Sequence, residues 1–193
     1  MPHLICRKQV QKQLNIKKMK NSFKSLLVMF AVAMFGFVNA QNITGKSTKV
    51  SVDGTSPMHD WTMTASAANF SGKVNGNTIT NVKFSMPVKN LKSTKGKMMD
   101  NKAYDALNAD KNPNISFSAA TLNMGKSNLA GKLTIAGVTK DISFPVTVTK
   151  NGASYHIIGS ENIKLSDFGL ARPGFMGVKT GDAMKVTVHI TAN

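Results

Sequence analysis

Val82, Phe84, Met86 and Val88 alternate with Lys83, Ser85 and Lys89, and the same period of two returns at Ile142 to Val148 and at Val186 to Ile190. Successive residues of a strand point to opposite faces, so each run makes a ribbon with one apolar and one wettable side. Such ribbons join into antiparallel sheets that bury one face and hydrate the other. Asn75-Gly76-Asn77, Ala136-Gly137 and Asn151-Gly152 fall between the runs and supply the residues that tight hairpins use. The spacing predicts strands over 47–53, 59–65, 67–75, 78–89, 114–123, 128–136, 139–150 and 153–163, and one at 182–192 that makes a ninth or replaces a doubtful early one. A sheet of that size has two edges to protect, and closure on itself removes both. The expected fold is all-β, a closed antiparallel barrel of about eight strands. Between Ser93 and Asn108 the pattern changes: Met99, Ala103 and Leu107 recur every four residues, Ser93 or Thr94 can cap the start, and Asn112-Pro113 stops any continuation. That stretch predicts one amphipathic crossover helix.

Residues 20–40 have a different character. Lys20 and Lys24 precede an apolar run from Leu26 to Val38, interrupted only by Gly36, and Val38-Asn39-Ala40 suits a signal-cleavage site. The run is shorter than the roughly twenty residues that a membrane-spanning helix needs. Residues 1–40 therefore read as an N-terminal extension and cleaved secretory signal, with translation starting at Met1 or Met19, and residues 41–193 as one periplasmic or secreted domain. The formal net charge is +16, from 25 Lys and Arg against nine acids; seven of those basic residues lie within 1–40, which leaves the domain 18 against nine, or +9. Its lysines are dispersed and lack interleaved aromatic residues, which excludes a nucleic-acid partner and fits a solvated cationic surface or peripheral contact with an anionic membrane. Cys6, the only cysteine, falls in the leader. The domain is thus expected to fold without a disulfide or a thiolate metal site.

Three apparent enzyme motifs dissolve on inspection. Asp167-Phe168-Gly169 looks like the metal-binding turn of a protein kinase, but no Gly-rich loop, strand lysine or His-Arg-Asp accompanies it. Gly45-Lys46-Ser47 lacks the glycine that a phosphate-cradling loop needs five residues earlier, where Ala40 stands. His59 and Asp60 are adjacent, so in a strand they face opposite ways and cannot pair as base and orienting acid. His156 and His189 have no motif partners. No catalytic residue, metal or cofactor is expected.

Several stretches together resemble the YceI family of bacterial envelope proteins, across the whole of the domain. They are Gly54-Thr55-Ser56 leading into His59-Asp60-Trp61; Asn112-Pro113-Asn114-Ile115-Ser116-Phe117-Ser118; Gly131-Lys132-Leu133-Thr134-Ile135-Ala136-Gly137-Val138-Thr139-Lys140; and Ser166-Asp167-Phe168-Gly169-Leu170. The resemblance implies a lipocalin-like barrel that binds a polyisoprenoid or fatty-acyl lipid without catalysis. Leu165 stands about where the family often has arginine, which bears on the choice of lipid and leaves the fold alone.

Alternation turns Phe84, Met86, Phe117, Leu133, Phe144 and Val146 inward, whether the lumen holds a guest or is filled by its own side chains. The ligand-carrying reading makes these six the lining and adds Trp61, Met98, Tyr104 and Phe168, with Trp61 and the helix near the mouth. Its rivals are a ligand-free interaction or stress module and an enzyme on an apolar substrate using His59 or Asp167; the partners expected for the carrier are the lipid and a second copy of the chain as a homodimer. Burying one five-carbon isoprene unit contributes roughly 3 to 4 kcal/mol. Association costs roughly 4 to 15 kcal/mol, so about four to six buried units leave about 8 kcal/mol, a micromolar complex.

Overall fold

The computed structural model describes residues 40–175 and 177–193. Residues 1–39 of the expected leader, with both candidate start methionines, lie outside the described residues, and its last residue, Ala40, directly precedes the first strand. Strands β1 (Gln41–Gly54), β2 (Trp61–Ala65), β3 (Asn69–Asn75), β4 (Thr78–Pro87) and β5 (Lys92–Ser93) precede the helix α1 (Lys97–Ala106). Strands β6 (Asn114–Asn123), β7 (Gly125–Ile135), β8 (Val138–Asn151) and β9 (Ser154–Lys164) follow as a meander. A small ribbon of β10 (Gly174–Phe175) and β11 (Val178–Lys179) then leads into β12 (Ala183–Ala192).

The sheet closes because β12 pairs with β9 on one side and with β1 on the other, antiparallel throughout. Ten strands make eight walls. One half of β1 pairs with β3 (Gln41↔Val74 to Thr44↔Ser71) and the other with β2 (Val50↔Ala65 to Gly54↔Trp61). Both halves keep one register, so β2 and β3 are a single wall broken at residues 66–68. Thr48, buried at 5% exposure, spans the break: its hydroxyl accepts the Ala68 N–H at 2.8 Å and donates to the Ala68 carbonyl at 3.1 Å. A side chain thus replaces the missing ladder bonds, which is how a buried hydroxyl is tolerated. In the same way β4 continues through the 3₁₀ turn Val88–Asn90 into β5, which pairs with β2. The 182–192 strand therefore takes the eighth place and the two early predictions merge into one wall. The first strand is longer than expected, starting at Gln41 rather than residue 47.

Two-residue turns connect β7 to β8 and β8 to β9. Between Ile135 and Val138 both Ala136 (φ 48°) and Gly137 (φ 83°) are left-handed, as a type I′ hairpin requires. The helix starts later than the cap signals predicted. Gly96 occupies the N-cap, and Ser93 lies in β5, where its N–H donates to the Asp100 carboxylate at 2.6 Å. An acid in the first helical turn ties the helix to the strand before it and also faces the positive end of the helix dipole.

The interior is not uniform along the axis. At the end formed by the start of β1 and β9 and the close of β6, β8 and β12, Ile43, Ile79, Leu122, Val148, Tyr155 and Ala192 are each at most 2% exposed. That end is a packed plug. The opposite end carries the helix, the 3₁₀ turn Leu165–Phe168 and the β10–β11 ribbon.

Candidate functional site

Above the plug the barrel encloses a cavity of about 200 Å³. Inward positions of every wall reach it: Val50, Phe84, Phe117, Leu133, Phe144, Ile157 and Val186 are examples from seven walls, and Trp61 comes from the eighth. Ala103 and Leu107 of the helix, with Phe168 and Leu170, frame the mouth. The lining is apolar almost without interruption; its charged members are Glu161 and Lys164, both on β9.

The cavity stays open because aromatic rings lie flat along the wall, over glycines of neighbouring strands. A Cβ on Gly54 would collide with the indole of Trp61, its cross-strand partner. One on Gly131 would collide with the Phe117 ring, and one on Gly159 would stand 2.9 Å from the ring of Phe144. Phe117 and Phe144 meet edge to face, with centroids 5.6 Å apart, in the arrangement that ring quadrupoles favour. Three glycines therefore give three large side chains somewhere to lie other than the lumen. Trp61 is further held by its indole N–H, which donates to the Thr55 carbonyl at 3.2 Å.

Of the ten residues expected to line the interior, eight do so: Trp61, Phe84, Met86, Phe117, Leu133, Phe144, Val146 and Phe168. Met98 and Tyr104 do not. Met98 is 53% exposed, because the helix buries the face one residue further on, and Met99 instead borders an outer pocket. Tyr104 is turned outward by its hydroxyl, which lies 2.8 Å from the Leu91 carbonyl oxygen and 3.0 Å from that of Lys89 and accepts from Lys92 Nζ at 2.7 Å. That contact is also the main reason the Lys92 ammonium titrates above its ordinary value. Ala103 and Leu107, taken from the same helical spacing, are the residues that face the lumen.

The kinase-like Asp-Phe-Gly turn has a structural explanation. Ser166 donates its N–H and hydroxyl to the Asp182 carboxylate at 2.9 and 2.5 Å, and Gly169 adopts φ 66° to end the 3₁₀ turn. Phe168, 3% exposed, is thereby set into the mouth while Asp167 faces solvent. The hydrogen bonds from Ser166, helped by the nearby Arg172 and Lys164 charges, hold the Asp182 carboxyl below its ordinary range. His59 is exposed in the loop before β2, with its backbone engaged by the Ser56 hydroxyl, so its ring plays no part in strand pairing. An outer pocket of about 140 Å³ shares Trp61, Met63, Ala103 and Pro173 with the main cavity and is bordered by Lys95 and Lys102. Among the described residues no group of three or more His, Cys, Asp or Glu is placed to hold a metal ion, and no helix is long and apolar enough to cross a membrane.

A family model described as a YceI-like domain matches residues 27–192. BcnA of Burkholderia cenocepacia superposes with a TM-score of 0.62 at 22% identity, covering 76% of this chain and 96% of its own. A polyisoprenoid binding domain from Saccharophagus degradans, described as implicated in plant cell wall breakdown, superposes with a TM-score of 0.61 at 11% identity, covering 78% and 97%. A variant of the Campylobacter jejuni YceI protein superposes with a TM-score of 0.53 at 20% identity, covering 65% and 80%. At these identities the likeness is one of fold. No curated protein matches the chain.

Proposed function

Because the chain belongs to the family of YceI-like domains, we propose that it is a carrier, its barrel holding the hydrocarbon chain of a polyisoprenoid or similar elongated lipid without transforming it. The observation that carries this reading is the 200 Å³ apolar cavity closed at one end and framed at the other by the helix and Phe168. A void of about 150 Å³ takes one benzene, or roughly 25–30 Å³ for each group, so a cavity of 200 Å³ takes roughly seven or eight methylene-sized groups, or about one to two isoprene units. That is fewer than the four to six units expected from the energetics, so the cavity holds only the first part of such a chain. A longer chain would continue through the mouth, over Trp61 and along the outer pocket. An open cavity speaks against the self-filled module, and its lining offers no paired acid and base for an enzyme. The polyisoprenoid named in the Saccharophagus degradans relative supports the same class of ligand. Export through residues 1–40 to the periplasm, and contact of the cationic surface with anionic lipid, belong to the same proposal.

The test is to purify the full chain without delipidation, extract it with organic solvent, and analyse the extract by mass spectrometry. A stoichiometric isoprenoid or long-chain lipid is expected. Trp61, the only tryptophan, gives a second readout: its fluorescence should change on titration with farnesol or geranylgeraniol. An extract free of lipid together with a flat titration would sink the reading.

A further inference from the structure

Glu161 is the single carboxylate among the residues that line the cavity. It shares the inward row of β9 with Ile157, Gly159 and Ile163, and pairs across the ladder with Val186, itself a lining residue. The β8–β9 ladder ends at Val146↔Gly159, so Glu161 is the first inward residue beyond the point where β8 parts from β9. It lies two residues inside Ile163, about 7 Å below the rim. Among the described residues its side chain has no hydrogen bond or ion pair; the three ion pairs join other residues. Lys164, the other charged lining residue, is exposed at the strand end and makes no ion pair with it. Glu161 is half-buried, and a carboxylate amid apolar side chains keeps only part of the donors that bulk water would give it. A ligand group that donates to it recovers that loss, and an anionic group brought beside it suffers repulsion in a medium of low dielectric.

We infer that Glu161 determines which polar end the lumen accepts: a long-chain amphiphile whose head donates a hydrogen bond or carries positive charge, an alcohol or an amine, in preference to an anionic head. This rests on the carrier reading and deepens it. Hydrogen bonds to a charged acceptor separate such ligands by about tenfold to a hundredfold in affinity.

The experiment compares geranylgeraniol, the corresponding primary amine and the corresponding diphosphate on the delipidated full chain, followed by Trp61 fluorescence and calorimetry. The wild type should bind the amine and the alcohol at least tenfold more tightly than the diphosphate. Glu161→Gln should lose the preference for the amine by about tenfold and narrow the gap to the diphosphate. Glu161→Leu should weaken the alcohol as well; thermal melts establish that both variants fold. Equal affinity for the three heads in the wild type, tightest binding of the diphosphate under the control of Lys95 and Lys102, or an order unchanged in Glu161→Gln would overturn the inference while leaving the carrier intact. If neither these probes nor the parent hydrocarbon binds, the carrier reading itself falls and the inference falls with it.

Discussion

Gly159→Val tests the claim that the lumen is open because rings lie over glycines. Gly159 sits in extended β9, lines the cavity and faces the Phe144 ring, and valine is a favoured strand residue. Its three added carbons would enter the lumen directly. At roughly 25–30 Å³ a group, they take about three of the roughly seven or eight places in the 200 Å³ cavity, and at about 0.8 kcal/mol a methylene the ligand loses about 2.4 kcal/mol. That is roughly a fiftyfold rise in Kd. The Cβ, 2.9 Å from the ring, also forces Phe144 off the wall, with an overpacking cost of about 1–3 kcal/mol in stability. Titration of geranylgeraniol by Trp61 fluorescence measures the first effect, and urea denaturation the second. A folded Gly159→Val protein that binds within twofold of wild type would refute both the placement of the ligand and the role of the glycine.

Asp100→Ala removes the acceptor of the Ser93 N–H inside a site where Asp100 is 6% exposed; the orphaned donor should cost about 1–3 kcal/mol in urea denaturation, and a change below about 0.3 kcal/mol would show that the tie does not hold the helix. Asp182 titrates below its ordinary value because Ser166 donates to it, so its contribution is present above the unfolded carboxylate pKa of about 3.9 and fades as pH falls through the lower folded value. The stability difference between wild type and Asp182→Asn should accordingly be largest near neutrality and shrink below about pH 4, read from unfolding curves across pH; a constant offset from pH 7 to pH 3 would count against the assigned hydrogen bonds.

Periodicity reaches as far as the face of each strand. It placed Phe84, Met86, Phe117, Leu133, Phe144 and Val146 inward because alternation is a local property of the chain, and the structure puts all six on the cavity. It failed where the determining contact lies across the sheet. The merging of β2 and β3 depends on the Thr48 hydroxyl bridging to Ala68, twenty residues away. Met98 and Tyr104 share a helix with Ala103 and Leu107, but only the orientation fixed by Asp100 on Ser93 and by Tyr104 on the Leu91 carbonyl decides which face meets the lumen. Glu161 was hidden because alternation falters along β9, where Ile158 is 45% exposed while Gly159 and Glu161 face inward. Whether such a barrel is hollow is a question of volume, and volume is set by what stands opposite each ring. Phe117 pairs with Leu133 and lies over Gly131, two residues along the same strand; Trp61 pairs with Gly54 itself. A glycine at a lumen-facing position beside an aromatic partner is therefore the residue-level sign of an open interior, and it becomes readable only once strand register is known.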